Sequence, residues 1–344
     1  FNNAGVSQRG IPVEDMEESF WEHIYAVNVK GIFLAAKYAV PVMKKAGQES
    51  ASLVTHFLEE ETPSPFDFEA TARSHGWAAL RPFEWQAAPV ELGRIHHLAG
   101  GQVIRLRLRE GDSSAGSTVR IGIEAAEPLD SKAETEIRRA VRRMLRLDED
   151  LSAFYRLKEE IKNHPLHPRP GGGRLLRCPS LFEDVVYTLC TTNISWAGTI
   201  RMVDRLVGRL GEPFPDRETW RAFPTPAAIA GAGPNFLKEA VGLGYRSAYL
   251  WEVAVAVTEG RLDLSRFEDS TLPTETLYRE LLQIKGVGPY AAATILMILG
   301  RYDRLAIDTE LRAHVTRKYF NGQPPPSEAQ IQAIYAPWGR WQYL

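Results

Sequence analysis

The run Leu281-Leu282-Gln283-Ile284-Lys285-Gly286-Val287-Gly288-Pro289-Tyr290-Ala291-Ala292-Ala293 limits the possible folds of this chain more than any other. An apolar helix end meets Gly-Val-Gly, and Pro289 then opens an Ala-rich second helix. Proline is favoured there because the first helical position has no use for its missing N–H. Two glycines let the backbone turn tightly and leave N–H groups bare. Those groups, with the positive end of the following helix, can hold a phosphate without reading a base. A Gly-x-Gly by itself is more often a plain tight turn between packed helices.

The residues C-terminal to the turn strengthen the signal. The helix Ala291–Leu299 leads into Gly300-Arg301-Tyr302-Asp303-Arg304 and then Leu305-Ala306-Ile307-Asp308-Thr309-Glu310-Leu311-Arg312. A carboxylate therefore stands after an apolar stretch and before a new helix. The plain reading of Asp308 is a helix N-cap. That role is compatible with chemistry, because a capping carboxylate has a fixed position.

Glycine hairpin, helix and Ile-Asp-Thr together resemble the helix-hairpin-helix DNA glycosylases, in the 3-methyladenine and 8-oxoguanine branches. The likeness runs over residues 66–344. It includes Phe66-Asp67-Phe68 to Trp85, Arg143 to Tyr155, Cys190 to Trp196 and Gly242-Leu243-Gly244-Tyr245-Arg246. The resemblance implies that Asp308 is the catalytic carboxylate. Cleaving a base–sugar bond builds positive charge on the deoxyribose, which a carboxylate beside C1′ stabilises while it orients or deprotonates water. Bifunctional members carry an imine-forming Lys two residues after the second hairpin glycine. Tyr290 stands at that place here, so a monofunctional hydrolase without strand cleavage is expected. Its ring suits stacking on an electron-poor alkylated purine, although plain helix packing is a close rival. Lys285, Gly286, Val287 and Gly288 become the expected backbone grip. Asn193 and Tyr245 become candidates for filling the gap left by an extruded base, with Arg246 beside them. Trp196 is a candidate wall of the base pocket, and a buried core Trp is at least as good a reading.

The chain divides into four parts. Residues 1–48 hold Asn2-Asn3-Ala4-Gly5 and a long apolar-periodic helix over Phe20–Lys45. They resemble a fragment of a short-chain dehydrogenase/reductase, a Rossmann-type fold, with Asn28 at that family's active-site Asn. No Gly-rich dinucleotide loop precedes the fragment, and no Tyr has a Lys four residues on. It is expected to be non-functional, a fusion or a chimeric gene product. Residues 49–65, with Glu59-Glu60-Glu61 and Pro63-Ser64-Pro65, have linker composition. Residues 66–127 alternate with period two over Gln102–Arg109 and again over Thr118–Ile123, which predicts a small antiparallel sheet with Arg105, Arg107 and Arg109 on a solvated face. Residues 131–344 are expected to be all-helical, with a C-terminal helix cut short after Trp338. The fold class expected is α+β.

Charge and composition set outer limits. The formal net charge is −2, but residues 131–344 hold 29 Lys and Arg against 25 Asp and Glu, a net of +4 that permits phosphate binding. The run Arg138, Arg139, Arg142, Arg143, Arg146 reads as a solvated helix face rather than a DNA stripe. Two cysteines are too few for a four-thiolate cluster. No apolar run reaches the ~18 residues of a membrane span. The chain opens on Phe1 and is expected to continue upstream. The combined expectation is a monomeric enzyme acting on damaged double-stranded DNA, with no cofactor and no metal. Its place is the cytoplasm of a bacterium or the nucleus of a eukaryote. An 8-oxoguanine-type glycosylase and a non-catalytic DNA-binding hairpin module are the alternatives.

Overall fold

A computed structural model describes residues 17–26, 37, 53–111, 117–161, 170–215, 217–269, 271–321 and 324–344. The chain forms two compact units, Phe1–Ser52 and Leu53–Leu344. Of the first, the structure describes helix α1 (Glu18–Tyr25), which exposes Trp21 and Tyr25. The Asn2-Asn3-Ala4-Gly5 turn, Asn28 and most of the expected Phe20–Lys45 helix lie outside the described residues.

The second unit begins with a strand where linker composition predicts none. Strand β1 (Val54–Glu61) pairs antiparallel with β5 (Thr118–Ala125), from Val54 opposite Ala125 to Glu61 opposite Thr118. The acidic run misleads because its middle residue escapes solvation while Glu59 and Glu61 stay exposed. Glu60 is buried, and its carboxylate receives Arg138 Nη1 at 2.6 Å and Arg142 Nη1 at 2.7 Å. Both arginines belong to helix α3 (Ser131–Leu145). Short helix α2 (Phe68–Ala72) follows β1, then β2 (Phe83–Ala87), β3 (Val90–His97) and β4 (Val103–Gly111). The sheet order is β1-β5-β4-β3-β2, antiparallel throughout. Period-two alternation sends Ile104, Leu106, Leu108, Ile121 and Ile123 to the helix side, where they share one core with Ile137, Val141 and Met144 of α3.

The opposite face of the sheet is not simply solvated. Arg107 and Arg109 both reach the buried carboxylate of Glu91, at 3.1 and 2.5 Å. The Arg105 guanidinium stacks 4.2 Å above Trp220. Trp220 belongs to a hairpin, β6 (Pro213–Phe214) and β7 (Arg217–Arg221), inside the region expected to be all-helical. Phe214 and Ala222 pack there on Ile95 and Val103, so a second small core covers part of that face.

Helix α3 likewise turns its arginines inward. Arg143 pairs with Asp184 at 2.9 Å and with Glu268. Arg146 leaves the helix in a left-handed conformation (φ 53°) and donates to the Met297 and Ile298 carbonyls. Four arginines of the run are therefore tied to neighbouring elements, while Arg139 is exposed and fits the solvated-face reading.

The remaining helices surround one buried rod. In order they are α4 (Ser152–Glu160), α5 (Leu181–Thr191), α6 (Trp196–Leu210), α7 (Pro226–Glu239), α8 (Arg246–Thr258), α9 (Thr274–Leu281), α10 (Pro289–Ile298), α11 (Thr309–Tyr319) and α12 (Glu328–Tyr335). Helix α10 is buried from Ala291 to Ile298, as a helix apolar on every side must be. Side-chain caps fix where its neighbours start. Ser180, Ser195, Thr225 and Asp308 each accept a first-turn N–H, and Ser327 forms a full capping box with Gln330.

Candidate active site and its flanking surface

The glycine turn between α9 and α10 is anchored from below. Ile284 and Val287 are buried, and the Val287 N–H donates to the Ile284 carbonyl at 3.0 Å. Gly286 takes φ +87°, which a β-carbon would strain. Gly288 and Pro289 are exposed. Among the described residues the Gly286 and Gly288 N–H groups have no backbone acceptor, so they are available to an outside anion. Lys285 is engaged on its own surface: its ammonium lies 2.5 Å from the Glu252 carboxylate of α8.

Asp308 caps α11. Its Oδ1 accepts the Leu311 N–H at 2.7 Å, and the residue is half-buried. The cap occupies one oxygen and holds the carboxylate in a set direction. Tyr343 places that carboxylate relative to the hairpin helix. Burial pushes the Tyr343 phenol well above its usual range, and the nearby Tyr290 and Asp308 push it further, against the opposing hydrogen bond of Thr294. Tyr290 and Thr294 are one turn apart at the start of α10, and the Thr294 hydroxyl donates back to the Tyr290 carbonyl at 3.0 Å. Tyr290 and Thr294 thus share the hairpin end of α10, and the Tyr343 phenol responds to both of them and to the charge of Asp308. Sequence reasoning named Asp308 and Tyr290 and missed Thr294 and Tyr343. Tyr343 lies in the terminal segment that reads, from sequence, only as a truncated helix.

A second group lies along α8 and the loop between α5 and α6. Asn193 is exposed and left-handed (φ 48°). Its Nδ2 donates to the Tyr245 hydroxyl at 3.4 Å. Tyr245 is 52% exposed, too much for a core residue. Burial acts to raise its phenol, but hydrogen bonds with Thr192 and Asn193 and the charge of Arg246 outweigh that and leave it below the usual range. Arg246 is only 5% exposed. Its Nε donates to Thr192 Oγ1 at 3.3 Å, its Nη2 donates to the Thr192 carbonyl, and its guanidinium stacks 4.5 Å from the Tyr245 ring. The structure thus places Arg246 beneath the loop as a brace. Trp196, 41% exposed, turns its indole onto the backbone at Gly76, 3.1 Å from where a β-carbon there would stand. These contacts do not join Trp196 to the Asp308 group.

Helix α8 links the second group to the glycine turn. The Tyr249 ring lies 6.0 Å from the Tyr245 ring, edge to face, and its Cγ and Cδ2 would be 2.7 Å from a β-carbon on Gly286. The geometry offers unpaired backbone N–H groups at the turn, an exposed Asn193–Tyr245 pair and a carboxylate held by its helix cap. Among the described residues no cluster of His, Cys, Asp and Glu could hold a metal ion, and no helix is long and apolar enough to cross a membrane.

Comparison with known proteins fits this arrangement. No family model matches the chain. A DNA-3-methyladenine glycosylase of Bacillus subtilis (strain 168) is 26% identical over 227 residues, covering 63% of this chain and 72% of that protein. The 3-methyladenine DNA glycosylase of Archaeoglobus fulgidus shares the fold, with a TM-score of 0.64, 22% identity and coverage of 83% of this chain and 94% of that one. The Clostridium acetobutylicum 8-oxoguanine glycosylase/lyase, in complex with double-stranded DNA, superposes with a TM-score of 0.59 at 16% identity, covering 86% and 96%. An uncharacterized oxidoreductase of Bacillus subtilis is 43% identical over 47 residues, 14% of this chain and 17% of that protein. The relatives and structural neighbours over most of the chain are thus DNA glycosylases, and the oxidoreductase likeness is confined to a small fragment.

Proposed function

We propose that the chain is a base-excision DNA glycosylase that hydrolyses the N-glycosidic bond of a damaged purine, of the alkylated class, in duplex DNA. The observation that carries this reading is the placement of Asp308. One oxygen is fixed by the α11 N-terminus, and the charge acts on the Tyr343 phenol, which Tyr290 and Thr294 of the hairpin helix influence as well. A carboxylate held there stabilises the cationic sugar as the base departs, and orients the water that replaces it.

The other residues divide the remaining tasks. Gly286, Val287 and Gly288, with Lys285 beside them, hold the phosphate backbone. Asn193 and Tyr245 fill the vacated place in the stack, and Arg246 keeps their loop in position. Tyr290 walls the base pocket, with Trp196 as the second candidate for its lining. With Tyr290 where bifunctional enzymes carry an amine, the product is an abasic site in an intact strand. The enzyme acts as a monomer wherever genomic DNA lies, bacterial cytoplasm or eukaryotic nucleus. Residues 1–48 are a dehydrogenase-like fragment with no part in the reaction.

The test is base release from duplexes carrying 3-methyladenine, 7-methylguanine, hypoxanthine or 8-oxoguanine, followed by borohydride treatment. The expected result is release of alkylated purine, intact strands and no covalent protein–DNA adduct. Preference for 8-oxoguanine moves the assignment to the sister branch. Binding without release from any duplex leaves only a DNA-binding module.

A further inference from the structure

The contact that joins the turn to the Asn193–Tyr245 pair is made by Tyr249, a residue with no task in the proposed reaction. We propose that Tyr249 is a positioning residue that couples the backbone grip at Gly286 to the entry of Asn193 and Tyr245 into the duplex; this rests on the glycosylase reading.

Helix α8 carries Tyr245 at its N-cap and Tyr249 one turn later, on the same face. On one side the Tyr249 ring fills the space above Gly286: Cγ and Cδ2 at 2.7 Å and Cβ at 2.8 Å from a notional β-carbon. Glycine at that position is therefore required twice, by its φ of +87° and by the ring. On the other side the ring meets Tyr245 at 6.0 Å with planes 74° apart. Tyr245 in turn receives the Asn193 amide, and Arg246 ties the same loop down through Thr192. One unbroken row of contacts runs from the backbone of the turn to the tip of the loop. A shift of the turn on seizing a phosphate presses on the Tyr249 ring and, through its edge-to-face contact, on Tyr245.

The atoms that touch Gly286 are ring and β-carbon atoms, so the hydroxyl of Tyr249 is dispensable. The test uses the full chain with Tyr249→Phe, Tyr249→Leu and, as a control for general loosening of α8, Val253→Ala, whose target is buried on the same helix. Three quantities are read. They are affinity for an undamaged duplex by anisotropy, the extrusion rate at saturating enzyme from 2-aminopurine beside a lesion, and melting temperature. Tyr249→Phe is expected to match the wild type. Tyr249→Leu should weaken undamaged-duplex binding and slow extrusion together, each roughly 5- to 20-fold, beyond any change caused by Val253→Ala. If the Leu variant does not fold, Gly286→Ala presses on the ring from the other side, and it must slow extrusion even at saturation. Coupling is overturned if Tyr249→Leu alters only one of the two quantities, or neither, or if Val253→Ala reproduces its effect. Gly286→Ala that weakens binding but extrudes at the wild-type rate when saturated overturns it equally. Wild-type base release tests the glycosylase reading separately, so that reading can survive the loss of this one.

Discussion

Asp308 accepts the Leu311 N–H through Oδ1 at 2.7 Å, so the carboxylate assigned to chemistry is also the residue that starts helix α11. The cap fixes the side chain before any substrate arrives. A carboxylate already aimed incurs no ordering cost at the moment the sugar becomes cationic, and this is the advantage of preorganised electrostatics.

Lys285 is neutralised by Glu252 at the edge of the turn. Glu252→Gln removes a negative charge next to the expected path of the DNA backbone and frees the ammonium. Duplex affinity should rise by roughly 2- to 5-fold at low salt and return to the wild-type value near 0.5 M salt, since exposed charges are screened. Anisotropy titrations at several salt concentrations measure it. Weaker binding by the variant at low salt would show that the pair supports the turn instead of restraining its charge.

Two imidazoles of the second unit, His96 buried and His75 half-buried, make stability depend on pH. Burial holds His96 down to about 3, helped by Arg94 and His97, and burial holds His75 down to about 4 against the pull of its bond to the Leu176 carbonyl. Both stay neutral when folded, whereas the unfolded chain binds protons below about 6.5. Their contribution is therefore complete above that pH and is lost as pH falls towards 4. At pH 5 each costs on the order of 2 kcal/mol. The Nε2 of His96 is buried without a partner, so His96→Leu breaks no bond at that atom. Thermal melts should show the variant gaining on the wild type at pH 5 relative to pH 8. A parallel shift at both pH values would remove His96 as a source of acid lability.

The tie between Glu60 and two arginines of α3 predicts where the working unit begins. Glu60→Gln should cost about 1–3 kcal/mol. That is below the 3–5 of a fully buried pair, because Arg138 and Arg142 keep 40% and 35% of their side chains exposed. Deleting residues 1–48 should leave melting and base release of the remainder unchanged. Deleting residues 1–62 should lower the melting temperature by several degrees, because β5 then loses one of its two neighbours. Chemical denaturation and calorimetry of the three chains separate these outcomes.

The sequence announced some elements and hid others, for physical reasons. The glycine turn was legible because Gly286, at φ +87°, and Pro289, at the first position of α10, each answer a backbone requirement that few other residues meet, whereas Gly288 is extended with open space around it. Asp308 was legible because an N-cap and a reacting carboxylate are the same residue type at the same place. The strand Val54–Glu61 was hidden because its acidic side chains read as solvated until Arg138 and Arg142 came within reach from about 80 residues away in the chain. The hairpin at Pro213–Arg221 was hidden by brevity, its first strand being two residues long. Arg246 gave no sign in the sequence of what it pairs with; only burial reveals that it serves Thr192. Tyr343 carried no local signal, since its meaning depends on Tyr290 and Asp308 approaching it in space.

The most direct test of the central claim is single-turnover base release from an alkylated duplex by the wild type and by Asp308→Asn. Asparagine keeps the cap oxygen, so the melting temperature and duplex affinity should hold within small limits. The release rate should fall by ~100-fold or more, as expected when a charge beside the developing cation is removed. A variant that releases base at the wild-type rate would contradict the claim outright.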